Sequence, residues 1–321
     1  EIDPTFSKVR FARTGGEANS IAVRIARAAS GKENIAICGY HGWHDWYLSA
    51  NLNKKDSLDP HLISNLKIDG VPKNLKNTTF PFLYGDYKSV KKLVSNKKIG
   101  VIKMEVCRNT KPDIKFLKFI RNLCNKKKIV LIFDECTTGF RENYGGLYLT
   151  TGIRPDMVIY GKALGNGYPI TAIVGKSSIM NSFSKTFISS TFWTERSGSV
   201  AALKTLEIMK KINSPKIIKK VGKEIMERWK NLFMDVGIEA EVRGIPSFPN
   251  FNFKKNNLIY KTFISQEFLK NKILASNQFY PSICHDKNIL KIYFKTFSKI
   301  LARIKYLESK KTKINEKLIS E

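Results

Sequence analysis

The sequence has few of the features that mark secreted, disulfide-bonded or membrane proteins. Only 5 of its 321 residues are cysteines and none forms a C-x-x-C pair, which argues against a disulfide framework and a zinc finger. The longest unbroken aliphatic or aromatic run, residues 129–133, is far too short to span a membrane. The polar start, residues 1–4, is unlike a signal peptide, and without an initiator Met we expect the true start to lie upstream. We therefore expect a cytoplasmic protein with reduced thiols.

Acidic residues are also scarce, because 27 of them stand against 56 basic residues and the net charge is +29. Such an excess is found in proteins that bind nucleic acids or membrane surfaces. However, 44 of the 56 basic residues are Lys, scattered in short clusters such as 126–128, whereas base and phosphate recognition favour Arg. We interpret the charge as a solvated surface and expect no nucleic-acid or membrane partner. A non-catalytic basic binding protein is the alternative from another functional class.

The hydrophobic residues, 42% of the chain, are arranged as short apolar runs that alternate with amphipathic segments. Helical periodicity covers residues 17–29 and 116–125. The apolar runs predict buried strands at 9–11, 35–38, 100–104, 129–134, 157–160 and 170–174. This alternation predicts an α/β fold with a mainly parallel sheet that is covered on both faces.

The pattern changes after about residue 205. A long helix is predicted over 217–233, short strands around 239–242 and 251–253, and further helices near 263–272 and 298–307. We therefore predict a large domain over residues 1–205 and a smaller C-terminal α+β domain over 206–307. A Lys-rich helical tail is expected over 308–321.

Polar residues that directly follow the predicted strands are the candidates for chemistry, since open parallel sheets bind ligands beyond the carboxyl ends of their strands. Gly15 and Gly16 follow one strand and open a helix, where free backbone N–H groups attract an anion such as phosphate. An ordinary glycine turn is the alternative, and no Gly-Lys-Ser/Thr sequence of a Walker loop is present.

The segment that follows the second strand, residues 39–47, is dense in aromatic side chains. Stacking on a planar ligand is one interpretation and core packing is the other. His41, His44 and Asp45 match no familiar metal-binding spacing, so we expect no metal site.

Asp134 and Lys162 stand at the ends of two further strands. A carboxylate that ends so apolar a strand needs a charged or hydrogen-bonded partner, and Asp134 could be a metal ligand, a general base or the partner of a protonated ring nitrogen. Lys162 precedes a glycine-rich segment, 163–169. A lysine held near a phosphate cradle and a buried Asp suits a Schiff base with pyridoxal phosphate.

Two longer runs, IFDECTTGFR at 132–141 and YGKALGNGYP at 160–169, resemble the class III aminotransferases. These are fold-type I pyridoxal-phosphate enzymes and include glutamate-1-semialdehyde aminomutase. Segments 10–18, 39–42 and 189–195 are similar to the same family, so the resemblance extends in order over residues 8–305. It implies a fold-type I pyridoxal-phosphate transferase with a small C-terminal domain.

The resemblance also implies catalytic and ring-binding roles. Lys162 would form the Schiff base with pyridoxal 5'-phosphate and then move a proton between substrate and cofactor. Asp134 would pair with the ring nitrogen and keep the ring electron-accepting. Tyr40 would stack on one face with His41 beside it, and Cys136 would face the other side, where the family usually has Val.

Phosphate contacts and assembly follow from the same resemblance. Gly15 and Gly16 would bind the phosphate through backbone N–H groups. Thr191 matches a threonine that reaches the phosphate of the neighbouring subunit, so a homodimer is implied. The family usually has a hydroxyl residue at the position of Gly16 and a Pro at that of Val106. It also has an N-terminal segment before residue 1, and we expect this chain to be a fragment without it.

The expected reaction is transfer of an amino group from a small amino acid donor to a carbonyl acceptor. The flank at 191–198 resembles aminotransferases of sugar or surface-polysaccharide biosynthesis. Glutamate-1-semialdehyde 2,1-aminomutase is the alternative within the enzyme class, because both reactions use the same lysine.

Overall fold

A computed structural model describes residues 2–61, 63–107, 110–310 and 314–319. The chain divides into two compact units. The first unit comprises Glu1–Arg108 and Pro112–Lys211, and the second comprises Asn109–Lys111 and Ile212–Glu321. The boundary predicted at residue 205 falls inside a helix, Arg196–Ile212, and the units divide near the end of that helix. The composition changes in mid-helix, so it does not mark the structural boundary.

The first unit is built around a sheet whose described strands follow the order β1-β7-β6-β5-β4-β2-β3. Among the described strands, β7 pairs antiparallel with β1 and β6 and the remaining pairs are parallel, so the mainly parallel sheet predicted from the sequence is confirmed. The strands are β1 (Lys8–Ala12), β2 (Asn34–Cys38), β3 (Thr79–Pro81), β4 (Ile99–Glu105), β5 (Val130–Asp134), β6 (Met157–Tyr160) and β7 (Thr171–Gly175). The α-helices are α1 (Gly15–Ser30), α2 (Asp45–Leu48), α3 (Ala50–Asn53), α4 (Tyr87–Asn96), α5 (Ile114–Lys127), α6 (Ser177–Met180) and α7 (Arg196–Ile212).

Helix α1 covers one face of this sheet. Thr14 caps its start by accepting a hydrogen bond from the backbone N–H of Glu17, and Gly31 ends it with a φ of 65° that favours glycine. Its apolar stripe enters one core with the sheet residues that face it, which include Val101, Ile132 and Ile159. This packing fixes the helix N-terminus at the rim where the strands end.

The second unit consists of the antiparallel pair β8 (Ala240–Ile245) and β9 (Phe248–Phe253) with α8 (Ser214–Val236), α9 (Asn257–Lys270) and α10 (Lys287–Ser309). Its core is aromatic, and the buried Trp229 indole N–H donates to the Tyr293 hydroxyl at 3.0 Å. The helical tail predicted over 308–321 is not continuous. Helix α10 ends at Ser309, and Ile314–Lys317 forms a 3-10 turn because Ile314 packs into the core of the unit. Residues 311–313, 320 and 321 lie outside the described residues.

No described helix combines the length and the apolar character that crossing a bilayer would require. The five cysteines all lie in the described ranges, and none of them forms a disulfide.

Candidate active site

The carboxyl end of β5 places Asp134 in the interior of the first unit, where 4% of the residue is exposed. Its Oδ2 accepts hydrogen bonds from His41 Nδ1 at 2.9 Å and from the Lys103 ammonium at 3.2 Å. Its Oδ1 accepts from the Cys136 backbone N–H at 3.1 Å. Burial by itself raises the pKa of Asp134, but Lys103, His41 and the Cys136 amide outweigh it and hold the pKa well below its usual range. The carboxylate is therefore an anion throughout the physiological pH range.

Lys103 was missed in the sequence analysis. It interrupts the apolar strand β4, its side chain is fully buried, and its register partner on β5 is Ile132, two residues before Asp134. The sequence could have indicated Lys103, because this lysine stands inside a run that is predicted to be a buried strand and a buried ammonium needs a counter-charge.

The turn after β2 presents Tyr40 and His41, and Glu105 at the end of β4 holds this turn. The Tyr40 backbone N–H donates to Glu105 Oε2 at 3.1 Å. Gly39 adopts a φ of 110°, and a β-carbon there would overlap the Glu105 carboxylate, so only glycine fits. The Tyr40 ring meets Tyr47 edge to face at 5.9 Å.

The start of α1 brings Gly15 and Gly16 to the same rim. A β-carbon on Gly15 would lie 3.7 Å from Cys136 Sγ, whereas one on Gly16 would lie 2.8 Å from His44 Nε2. The imidazole of His44 thus fills the space of the side chain that the sequence resemblance led us to expect at Gly16. The first backbone N–H groups of a helix have no intrahelical acceptor and carry its positive dipole end, which makes this terminus suitable for an anion.

Lys162 follows β6 and points its amine at Thr137, whose Oγ1 accepts a hydrogen bond from Nζ at 2.9 Å. Its φ of 44° lies in the left-handed region, which is uncommon for a residue with a β-carbon and is concentrated at functional sites. A β-carbon on the preceding Gly161 would lie 3.3 Å from Cys136 Sγ, so the lysine, the thiol and the Asp134 loop are neighbours. Burial and the Asp134 charge raise the pKa of the Cys136 thiol well above its usual value, which leaves it a neutral packing group.

Thr191 lies on the surface of the first unit. It begins a 3-10 turn, Thr191–Thr194, and is exposed, as are the aromatic side chains of Phe187 and Phe192 nearby in the sequence. The turn packs against β1, and the Arg13 guanidinium lies over the Phe192 ring, 3.9 Å from its centroid.

The groups gathered at the rim fit a ligand with three chemical features. A helix N-terminus suits an anionic phosphate, the buried Asp134 suits a ring nitrogen, and the Lys162 amine suits an aldehyde carbon. Across the described ranges, no group of three or more His, Cys, Asp or Glu side chains is arranged to hold a metal ion.

Comparisons with known proteins indicate one enzyme family. A family model described as aminotransferase class-III matches residues 1–300. The chain is 30% identical over 298 residues to a 3-aminobutyryl-CoA aminotransferase of Cloacimonas acidaminovorans (strain Evry), a match that covers 89% of this chain and 68% of that protein. It is 34% identical over 290 residues to a glutamate-1-semialdehyde 2,1-aminomutase of Sulfolobus acidocaldarius, covering 86% and 65%. The chain therefore spans about two thirds of the length of these relatives.

Solved structures support the fold. The PLP internal aldimine form of the FumI protein from Sphingopyxis sp. MTA144 superposes with a TM-score of 0.84 at 18% identity, over 96% of this chain and 73% of that chain. An omega-transaminase from Sphaerobacter thermophilus gives a TM-score of 0.82 at 19% identity, over 94% and 76%. These likenesses confirm the expected architecture of pyridoxal-phosphate transaminases.

Proposed function

The chain belongs to the class III aminotransferase family, and we propose that it acts as a pyridoxal-phosphate enzyme that moves an amino group from an amino acid donor to a carbonyl acceptor. The family resemblance seen in the sequence is confirmed by the match over residues 1–300. The observation that carries the proposal is the buried anion of Asp134, which shares one rim of the sheet with the start of α1 and the Lys162 amine.

Pyridoxal phosphate, when bound, supplies an electron-accepting ring that stabilises negative charge on the carbon that bears the amino group. In our proposal, Asp134 faces the ring nitrogen and is itself held by His41. Lys162 would supply the amine that bonds to the aldehyde carbon and would later move the proton that leaves the substrate. Tyr40 and Cys136 would enclose the ring from its two faces.

Phosphate recognition is assigned to the start of α1. Gly15 and Gly16 offer backbone N–H groups at the positive end of a 16-residue helix, and both are partly accessible. His44 is the nearest side chain to Gly16, so it lies beside this proposed anion site.

Covalent labelling tests the assignment of Lys162. Purified protein incubated with pyridoxal phosphate and reduced with borohydride is expected to carry the label on the Lys162 peptide. Lys162→Ala should lose the label. Lys176→Ala is the matched control and should retain it, because Lys176 belongs to the same unit but pairs with Asp156. Label on a different peptide would contradict the assignment of Lys162 as the residue that binds the cofactor.

We favour transamination over the internal exchange of an aminomutase. The flank at 191–198 resembles aminotransferases of sugar or surface-polysaccharide biosynthesis, which makes a keto-sugar the acceptor class to test. An aminotransferase loaded with the amino form of the cofactor should return to the aldehyde form only when an acceptor is added. Complete turnover of a single substrate without an acceptor would favour the aminomutase. Salt-dependent nucleic-acid binding by a chain that never takes up cofactor would favour the basic binding protein.

A homodimer with shared sites is the assembly we propose, in the cytoplasm and without a nucleic-acid or membrane partner. The exposed apolar residues near Thr191 support it, since Phe187, Val200 and Leu203 are 84%, 62% and 70% exposed in the single chain. A second copy that covers this surface would bring Thr191 to its phosphate site. Cofactor affinity should then rise with protein concentration.

Mixing inactive chains tests the shared site. Lys162→Ala and Thr191→Ala chains, refolded together at equal amounts, should form half heterodimers, each with one intact site. The expected recovery is about a quarter of wild-type activity. Subunit exchange is checked with a size-tagged copy. Heterodimers that stay as inactive as both parents would contradict the shared site.

A further inference from the structure

The imidazole of His44 lies against the start of α1 and is partly exposed. Its Nε2 is 2.8 Å and its Cδ2 is 2.9 Å from the point where Gly16 would carry a β-carbon. The turn after β2 packs closely on the helix here, because a β-carbon on Gly42 would lie only 3.2 Å from Gly16 Cα. The absence of a side chain at Gly16 and Gly42 therefore lets the imidazole approach the backbone N–H groups that begin the helix.

Two neighbouring side chains determine which ring nitrogen of His44 carries a proton. The Trp46 indole N–H, which can only donate, donates to Ser20 Oγ at 3.1 Å. Ser20 Oγ lies 2.9 Å from His44 Nδ1, and among the described residues this nitrogen is the acceptor available to the Ser20 hydroxyl proton. A neutral imidazole that accepts at Nδ1 carries its own proton on Nε2. The Nε2–H group is thus a donor beside Gly16, and within the described ranges no protein group accepts from it.

An anion at the start of α1 would meet this donor together with the first backbone N–H groups of the helix. We propose that His44 Nε2 donates a hydrogen bond to the phosphate of pyridoxal phosphate, in the place of the hydroxyl that the resemblance led us to expect at position 16. The inference deepens the proposed function and rests on it. Ser20 is a positioning residue in this scheme, because it acts on the phosphate only through the imidazole of His44.

Paired affinities for pyridoxal phosphate and for pyridoxal, which lacks the phosphate, separate this contact from every contact with the ring. Both dissociation constants are measured by absorbance titration of cofactor-free protein. His44→Ala should weaken binding of pyridoxal phosphate about tenfold and leave that of pyridoxal unchanged, because the lost hydrogen bond exists only when the phosphate is present. His285→Ala is the matched control. His285 Nδ1 also lies beside a serine hydroxyl, that of Ser282 at 2.8 Å, but it belongs to the second unit, and both affinities should stay at the wild-type values.

Two further variants keep the test decisive if His44→Ala does not fold. His44→Gln retains an amide N–H donor and should bind pyridoxal phosphate more tightly than His44→Ala. Ser20→Ala frees the imidazole to turn and should weaken binding of pyridoxal phosphate alone, by a smaller factor. Folded His44→Ala that loses affinity equally for both ligands, or for neither, would overturn the inference, as would Ser20→Ala with the wild-type preference for the phosphate. Borohydride labelling of Lys162 separates the two proposals, because a wild type without label would refute the proposed function, whereas intact label with an unchanged phosphate preference refutes only the role of His44.

Discussion

Replacing Asp134 by Asn should lower the free energy of unfolding of the protein, apart from any effect on catalysis. The substitution keeps the shape of the side chain but removes the charge that faces Lys103, whose ammonium is fully buried. Breaking a buried ion pair by removal of one partner costs about 3–5 kcal/mol. That is a large part of the roughly 5–15 kcal/mol by which a typical domain is stable.

The pair can be resolved by a double-mutant cycle. Lys103→Met leaves Asp134 with hydrogen bonds from His41 and the Cys136 amide, and Asp134→Asn with Lys103→Met removes both charges together. We therefore expect the double variant to recover most of the loss, with a coupling energy of about 3 kcal/mol. Urea unfolding of cofactor-free protein, followed by circular dichroism, measures the four free energies.

Lys176 and Asp156 provide the control pair in the same unit. Their side chains lie 2.8 Å apart, but that of Lys176 is 38% exposed, so water can replace the partner. Lys176→Met should cost less than about 1 kcal/mol. Asp134→Asn within about 1 kcal/mol of the wild type, or a double variant as unstable as Asp134→Asn alone, would refute the idea that Lys103 depends on Asp134.

Three further outcomes are expected. Folded Asp134→Asn should keep the cofactor on Lys162 but slow the half-reaction by orders of magnitude. A near wild-type rate in stopped-flow absorbance would show that Asp134 is not the residue that keeps the ring electron-accepting. Burial raises the pKa of Glu135 from 4.5 to about 7, so the folded state retains a proton that the unfolded chain releases above pH 4.5. The wild type should therefore lose up to about 3 kcal/mol of stability as the pH rises from 4.5 through 7, whereas Glu135→Gln should not. Urea unfolding at pH 5 and pH 8 measures the loss. An equal loss in both proteins would contradict the raised pKa of Glu135. Gly16→Ser should weaken cofactor binding about tenfold, because its β-carbon would lie 2.8 Å from His44 Nε2. Adding His44→Ala to this variant should restore binding. A titration in which Gly16→Ser alone binds the cofactor normally would contradict the crowding by His44.

The strands of the sheet could be predicted because burial on both faces gives nearly continuous apolar runs. Strand β6, Met157–Tyr160, has the predicted bounds, and β5 begins at Val130, one residue later than expected. Strand β3, Thr79–Pro81, was missed since three residues give no pattern. Helix α4 was missed although its apolar residues Tyr87, Val90 and Val94 recur at helical spacing.

Parts of the candidate site were predictable for a related reason. The ends of parallel strands meet at one rim, so Asp134 and Lys162 could be selected from their positions after β5 and β6. Lys103, the partner of Asp134 on β4, could not be selected in this way. It is 31 residues away in sequence, and only the register of β4 on β5 brings the two together. The crowding of Gly16 by His44 likewise depends on how the turn after β2 packs on α1.

The buried charges at this rim are better explained by function than by stability. A buried ion pair is often less stabilising than apolar residues of the same volume, so selection for stability alone gives no reason to keep one. Lys103 is the only lysine buried among the described residues of a chain with 44 lysines, which separates it from the solvated basic surface. Within the described part of the chain its ion-pair partner is Asp134, at the point where a ring nitrogen would be held in our proposal. The buried ammonium compensates the Asp134 carboxylate, and the double-mutant cycle of the two residues measures that compensation directly.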